Sequence, residues 1–328
     1  MISNNQPFLS VDLSGEPCDL RARNLCKSYS SFSLGPVSLD VPRGSVVGLV
    51  GQNGAGKTTL MKAMLGGIRV DSGSAELFGV DVTRASEAEL VAAKGRMGFV
   101  SAVTSYPPGM TVAEVARMAE LAYPRFSMAE FRQLCERMGL DMAASTPNVE
   151  VAGGRRTRMP RSPQTTELSR GMGMKLQLSV ALAAGTDLLV MDEPTAGLDP
   201  IVREEFLDVL REWMEPEGRS ALISSHITSD LEKVADYVVM LHEGRVVLSC
   251  ERDTLEQMGV ARLRNAEAEQ LLAGGLIPAG MARIMRRDLS VEVLVPSRAE
   301  FERAFPSAVC DRAGIDDVLT FLVKGEVR

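Results

Sequence analysis

Apolar positions in the first hundred residues fall in short runs punctuated by Gly and Pro. LRARNLCKSY and SFSLGPVSLDV alternate apolar and polar residues ahead of the turn Pro42-Arg43-Gly44, a pattern that predicts antiparallel strands. The unbroken apolar run from Val46 to Val50 reads as a buried strand, and Leu60 to Leu65 continues with helical spacing. IRVDSGSAELFGVDV then predicts two short strands around a Ser72-Gly73 turn, ASEAELVAAK a short helix and RMGFV another strand. Thereafter the period becomes helical. Thr111 with Glu114 and Ser127 with Glu130 have capping-box spacing and open VAEVARMAELA and MAEFRQLCERMG.

A further helix, MKLQLSVALAAG, leads into DLLVMDEP, where Leu188 to Met191 are apolar and Asp192 and Glu193 follow. This describes a buried strand with carboxylates emerging at its C-terminal end, the end at which open α/β sheets bind ligands. Asp199-Pro200 has the form of a helix start, with Asp as cap and Pro in the first turn, before REEFLDVLREWM. ALISSH reads as a strand, TSDLEKVAD as a helix and YVVMLHEGRVVLS as a hairpin turning at Glu243-Gly244. Beyond Cys250, helices near Asp253 to Met258, Ala266 to Ala273, Arg298 to Phe305 and Gly314 to Val323, with strands at Arg283 to Met285 and Leu289 to Val295, predict a small α+β appendage. Three parts follow: a polar, loose lead-in over 1–19, a main domain over 20–250 and an accessory domain over 251–328.

Composition narrows the function classes. A chain of 328 residues with 45% hydrophobic and 24% charged residues is an ordinary globular sequence long enough for two cores. Lys and Arg total 36 against 43 Asp and Glu, a net charge of -7, so no nucleic-acid partner is expected from a global positive field. The five cysteines are scattered without metal-type spacing, and their odd number argues against a disulfide framework and for a reducing cytosol. MISNNQPFLS lacks the pattern of a signal peptide, and no uncharged apolar run approaches the ~20 residues that span a bilayer. Work at a membrane would therefore need a separate polypeptide to cross it. Arg155, Arg156, Arg158 and Arg161, broken by Gly and Pro, read as a solvated loop or as a contact for anionic headgroups or an acidic partner.

The densest chemical signal is GQNGAGKTT, Gly51 to Thr59, between the buried strand and the helix. It fits G-x-x-x-x-G-K-[ST] in full, in the context where loop N–H groups and a helix N-terminus bind a polyphosphate. Gly51, Gly54 and Gly56 permit the dihedrals and close approach, while Gln52, Asn53 and Ala55 complete the loop with Thr59 just beyond. Lys57 would reach the β- and γ-phosphates and Thr58 would offer its hydroxyl to Mg²⁺. Tyr29, shortly before the P-loop strand, is by itself a half-buried packing residue.

In order, the chain carries GQNGAGKTT, LSRGM (Leu168 to Met172), LLVMDEP, AGLD (Ala196 to Asp199) and His226 at a strand end. This order and spacing resemble the nucleotide-binding subunits of ABC transporters over about Leu20 to Leu248. The resemblance implies a P-loop NTPase with a RecA-like α/β core, an antiparallel β-subdomain and a helical subdomain over about 103–184. It implies ATP and Mg²⁺ as ligands, with Asp192 and Thr58 at the metal and Glu193 as general base. His226 would contact the γ-phosphate as the switch histidine and Tyr29 would stack on adenine. Ser169 and Gly171 would present a hydroxyl and an N–H to the γ-phosphate bound by an opposite subunit, with Asp199 near that interface. ATP-dependent dimerisation follows, with a second copy or a paralogous ATPase, together with a separate transmembrane permease and a place on the inner face of the membrane.

Departures from the pattern carry information. Arg170 and Met172 replace a Gly and a Gln of the usual signature, a form familiar in bacterial export-type members. The loop after RMGFV, where the family usually places a Gln near the metal, has Ser101 or Ala102 instead, and no glutamine occurs between Gln52 and Gln133. Either a water replaces that ligand or the loop works differently. ITSDLEKVADYVVMLHEGRVV and the ending DRAGIDDVLTFLVKGE are similar to ATPases of bacterial export systems. Two other readings stay open: a soluble ABC-type ATPase without a membrane role, and a regulatory protein that senses ATP without turnover.

Overall fold

The computed structural model describes residues 7–103, 106–140, 144–145, 149–150, 156–157, 160–277, 281–288 and 290–327. Strands β1 (Cys18–Ser28) and β2 (Ser33–Pro42) pair antiparallel, and their alternation sends Leu20, Ala22, Leu25, Val37 and Leu39 inward. Strand β3 (Val46–Val50) is buried throughout and runs into α1 (Lys57–Met64). Strands β4 (Ser72–Leu77) and β5 (Val80–Asp81) complete an antiparallel sheet ordered β2-β1-β4-β5. The reversal between them falls at Phe78 and Gly79, at φ 51 and 78, and not at Ser72-Gly73. Gly73 lies inside β4, where a Cβ would stand 2.4 Å from the Asn24 carbonyl oxygen. There glycine serves a close approach of two backbones instead of a turn.

Helix α2 (Glu87–Lys94) opens on a Ser86–Glu89 capping box and precedes β6 (Met97–Ser101). Helices α3 (Val112–Ala122) and α4 (Met128–Arg137) begin at Thr111 and Ser127, and only Thr111 forms the full reciprocal box. Val115, Ala119, Phe131 and Cys135 make their shared core with Leu176 and Val180 of α5 (Arg170–Ala183). Between α4 and α5, the two-residue strands β7 (Ala144–Ser145) and β8 (Val149–Glu150) pair with β10 (Pro160–Arg161) and β9 (Arg156–Thr157) respectively. Of the basic run, Arg155 and Arg158 lie outside the described residues.

Then come β11 (Leu188–Asp192), α6 (Pro200–Met214), β12 (Ser220–Ser225), α7 (Thr228–Val234), β13 (Tyr237–His242) and β14 (Arg245–Glu251). The central sheet is ordered β14-β13-β3-β12-β11-β6, parallel except for β14. Its hairpin turns at Glu243 and Gly244, at φ 46 and 75. Residues 7–11 of the lead-in are not loose. The N–H of Phe8 donates to the Val247 oxygen at 2.8 Å and that of Val11 to the Ser249 oxygen at 2.9 Å, which lays the segment along β14.

The remainder comprises α8 (Arg252–Gln257), β15 (Gly259–Leu263), α9 (Asn265–Ala273), β16 (Arg283–Arg286), β17 (Val291–Val295), α10 (Arg298–Ala304), β18 (Val309–Arg312), α11 (Ile315–Lys324) and β19 (Glu326–Val327). Its strands form an antiparallel sheet ordered β18-β15-β17-β16-β19, of which β15, β18 and β19 are additions to the expected elements. Helix α11 buries Val318 and Leu322 in the same core as Leu231 and Ala235 beside the central sheet.

One close contact fixes α5 on the central sheet. A Cβ at Gly98 of β6 would stand 2.8 Å from the Ala181 Cβ and 2.7 Å from a Leu189 methyl. Overpacking of this kind costs ~1–3 kcal/mol. Gly98→Ala is therefore expected to lower the urea midpoint of unfolding while leaving its slope unchanged.

Candidate functional site

The P-loop is held from behind by the β13–β14 turn. The Gly244 N–H donates to the Ala55 oxygen at 2.9 Å, and the Ala55 N–H donates to the Gln52 oxygen at 3.0 Å. Gly51 passes so close to β13 that a Cβ would meet the Leu241 oxygen at 2.4 Å. Gly56 takes the left-handed conformation, φ 106, at the N-cap of α1, against the ring of Phe32. Gln52, Asn53, Gly54 and Thr58 are exposed on the outer side, and Thr59 is half-buried. Lys57 is buried and donates to the Gly51 oxygen at 2.6 Å.

Strand register brings the carboxylates to this loop. Asp192 lies opposite Ser224 on one side and Ser101 on the other. Its two oxygens accept from the Thr58 hydroxyl at 2.7 Å and the Ser224 hydroxyl at 2.6 Å. Glu193 turns out of the strand at φ 52, its N–H donating to the Ser224 oxygen at 3.1 Å and hydroxyl at 3.0 Å. Its Oε2 stands 2.5 Å from His226 Nδ1 and accepts the His226 N–H at 3.2 Å. Its Oε1 makes no hydrogen bond among the described residues and faces the Lys57 ammonium at 3.0 Å, an ion-pair contact.

Burial alone would raise the Glu193 carboxyl, but Lys57 and then His226 outweigh it and hold the group below the usual carboxylate range. The carboxylate is thus ionised at neutral pH, the form a proton acceptor requires. The neighbouring Thr58 hydroxyl and Asp192 carboxylate are hard oxygen donors of the kind Mg²⁺ takes. Among the described residues no three His, Cys, Asp or Glu side chains form a metal cluster, so remaining ligands would come from water and phosphate.

Ser169 caps α5, its hydroxyl oxygen accepting the Met172 N–H at 3.3 Å while its own proton remains to donate. Gly171 lies in the first turn of that helix, where N–H groups have no intrahelical acceptor. Asp199 caps α6 by accepting the Ile201 and Val202 N–H groups at 3.1 Å. The two helix starts touch: a Cβ at Gly197 would stand 2.4 Å from the Arg170 guanidinium. Among the described residues, neither Ser169 nor Gly171 is hydrogen-bonded to the P-loop. Tyr29, 47% exposed, follows β1 and donates its N–H to the Phe32 oxygen at 2.8 Å, beside Gly56.

Sequence reasoning missed several supports. Ser224 holds both Asp192 and Glu193, and buried Asp230 accepts the Thr195 hydroxyl at 2.6 Å, tying the loop after Glu193 to the helix after His226. Phe32 covers Gly56. Only the polarity of Ser224 at the end of an apolar strand could have signalled any of them. The charge balance at Glu193 is testable: Lys57→Met removes the leading stabiliser of its ionised form and leaves burial less opposed. A carboxyl titration by NMR should then show the Glu193 pKa moved upward from its wild-type position.

The family model described as ABC transporter matches residues 34–196. The lantibiotic transport ATP-binding protein SrtF of Streptococcus pyogenes is 30% identical over 242 residues, 73% of this chain and 93% of that protein. The daunorubicin/doxorubicin resistance ATP-binding protein DrrA of Streptomyces peucetius is 30% identical over 286 residues, 83% of this chain and 77% of that one. A solved ATP-binding subunit of an ABC transporter superimposes with a TM-score of 0.60 at 26% identity, over 72% of this chain and 91% of that one. The chain belongs to the ATP-binding subunits of ABC transporters, a family of P-loop ATPases that bind and hydrolyse ATP.

Proposed function

We propose that this chain is the ATPase of an export-type transporter. Two copies, or one copy and a paralogue, close around two Mg-ATP and drive a separate transmembrane subunit. The observation that carries the reading is the split site. Lys57, Thr58, Asp192, Glu193 and His226 converge on one side, whereas the donors of Ser169, exposed, and Gly171, half-buried, stand at the start of α5 without a phosphate loop of their own to face. Such donors complete a site only across an interface with another subunit.

In this assignment the P-loop N–H groups and Lys57 hold the β- and γ-phosphates, and Tyr29 stacks on the base. Thr58 and Asp192 would hold Mg²⁺, which when bound neutralises charge on the phosphate oxygens. Glu193 orients a water and accepts its proton as the water oxygen attacks the γ-phosphorus and the bond to the ADP oxygen breaks. His226 keeps Glu193 in place and faces the γ-phosphate. Serine and glycine of the opposite subunit add donors where charge develops.

Coupling to a membrane partner is supported by exposed apolar side chains near the β6 edge of the sheet. Val91 of α2, Phe99 of β6, Val103, and Met118 and Leu121 of α3 are all exposed, Leu121 at 91%. The ends of α2 and α3 meet there, with a Cβ at Gly95 only 3.4 Å from the Pro124 ring. Large apolar side chains exposed on neighbouring elements suit a contact with another protein. Among the described residues no helix is long and apolar enough to cross a membrane, so the reading assigns crossing to the partner. Similarity to a lantibiotic transport protein and a drug resistance protein supports the export direction.

Two measurements test this. Glu193→Gln should lower hydrolysis ~10²- to 10⁴-fold and accumulate as a dimer in saturating Mg-ATP by light scattering; a persistent monomer overturns the sandwich. Purification from native membranes should bring down a multi-spanning protein, and Leu121→Asp should release it. Exclusively soluble partners would overturn the transport role.

A further inference from the structure

The turn after β6 lacks the glutamine that sequences resembling this one carry, yet a glutamine reaches it from elsewhere. Gln177 of α5, 5% exposed, directs its side-chain amide at Ser101. Its Oε1 accepts the Ser101 N–H at 3.2 Å, and its Nε2 donates to the Ser101 carbonyl oxygen at 3.0 Å. The Ser101 hydroxyl lies between the Val103 oxygen at 2.6 Å and the same Oε1 at 3.3 Å. A primary amide that meets both the N–H and the C=O of one residue fixes that residue at two points, as a neighbouring strand would. Since β6 is the last strand of its sheet, backbone groups on its outer side need such partners.

What Ser101 borders gives the contact its meaning. Ser101 is the register partner of Asp192, and the next N–H, that of Ala102, donates to the Asp192 backbone carbonyl oxygen at 2.9 Å. At the other end, Gln177 lies two turns along the helix whose cap is Ser169. The helix is pressed on β6 one turn further, where Ala181 meets Gly98. Gln177 is thus the polar tie in a short path from the signature helix to the strand end that carries Asp192.

We propose that Gln177 is a positioning residue. It locks the 101–103 turn to α5, so that the donors of Ser169 and the carboxylates of Asp192 and Glu193 keep a fixed relation when subunits close, without a loop side chain at the metal. The proposal rests on the reading of these groups as the two halves of the ATP site. A buried amide bonded through both its oxygen and its nitrogen to one backbone residue is held away from a ligand, so it acts on rate through geometry and not on affinity.

The test is steady-state ATP hydrolysis by the purified full chain, with thermal melting and Mg²⁺ titration alongside. Gln177→Leu, close in volume but without polar atoms, is expected to lower kcat ~10- to 100-fold, the effect of misplacing a site by ~1 Å. The KM for ATP and the half-activating Mg²⁺ concentration should stay within about twofold of wild type. Gln177→Glu keeps the acceptor for the Ser101 N–H but sets a carboxylate against the Ser101 carbonyl, so its burial and this repulsion raise its pKa. Its kcat relative to wild type should climb as pH falls from 8 to 5.5, because the protonated acid regains a donor. An unchanged kcat in folded Gln177→Leu overturns the proposal, and so does a Gln177→Glu ratio that is flat with pH, which would leave the amide a stabilising contact only. Absence of hydrolysis by the wild type would instead overturn the ATPase reading on which the proposal stands.

Discussion

Everything at the site depends on one constraint: charges can be brought together only where the parallel strands stop. From Leu188 to Met191 strand β11 is fully buried between β12 and β6, and no carboxylate could be held there without a partner. One residue later the sheet ends. Asp192 meets Ser224 and Thr58, and Glu193 swings out to Lys57 and His226. A slip of one residue in that register would turn Asp192 from the loop to the opposite face. The apolar identity of four consecutive residues is therefore what aims two acidic ones.

This explains how much was legible in the sequence. The β3, P-loop and α1 unit is local: its strand, loop glycines and helix follow one another within about twenty residues, so pattern alone locates it. Helix starts at Ser86, Thr111, Ser127 and Asp199 are local too, since a cap and its N–H acceptors lie two or three residues apart. The Glu243-Gly244 turn is of the same kind. Contacts between distant segments left no such trace. Gly73 looked like a turn because its real reason, the passage of β1, lies some fifty residues away. Gln177 looked like one more polar residue of a helix, because Ser101 lies on a strand 76 residues earlier. Strands β15 and β18 escaped for a related reason, as their partners lie in distant segments of the chain.

The ends of the chain are less separable than their composition suggested. The lead-in continues the central sheet beyond β14, which covers an edge that would otherwise be open to pairing with another chain. At the other end, the Glu232 carboxylate of α7 accepts the Ile315 N–H at 2.9 Å, within the first turn of α11. Helix α7 follows directly on His226, and Leu231 on its inner face shares a core with Val318 and Leu322. The accessory segment is thereby packed on the helix that follows the histidine, with its contacts at Leu231 and Glu232.

A single helix also unites two requirements that seem independent. In the proposed two-subunit site the start of α5 must be accessible, since Ser169 and Gly171 have no phosphate loop to face within their own chain. Its middle must be immobile, since it covers β6. The sequence satisfies both by changing character along the helix: Ser169 and Arg170 are exposed and Gly171 and Met172 half-buried, whereas Gly173, Met174 and the residues from Leu176 onward are buried. Gly98 lets the buried part lie against the strand with almost no space between backbones, and Gln177 is the residue of that part whose side-chain amide bonds the β6 backbone. Apolar packing at Gly98 and Ala181 fixes how closely the helix lies on the strand, but dispersion contacts are individually weak and non-directional. Paired hydrogen bonds to one backbone residue have a direction and a single register. In the proposed arrangement the donors at the start of α5 are consequently aimed by a buried amide about two turns along the same helix.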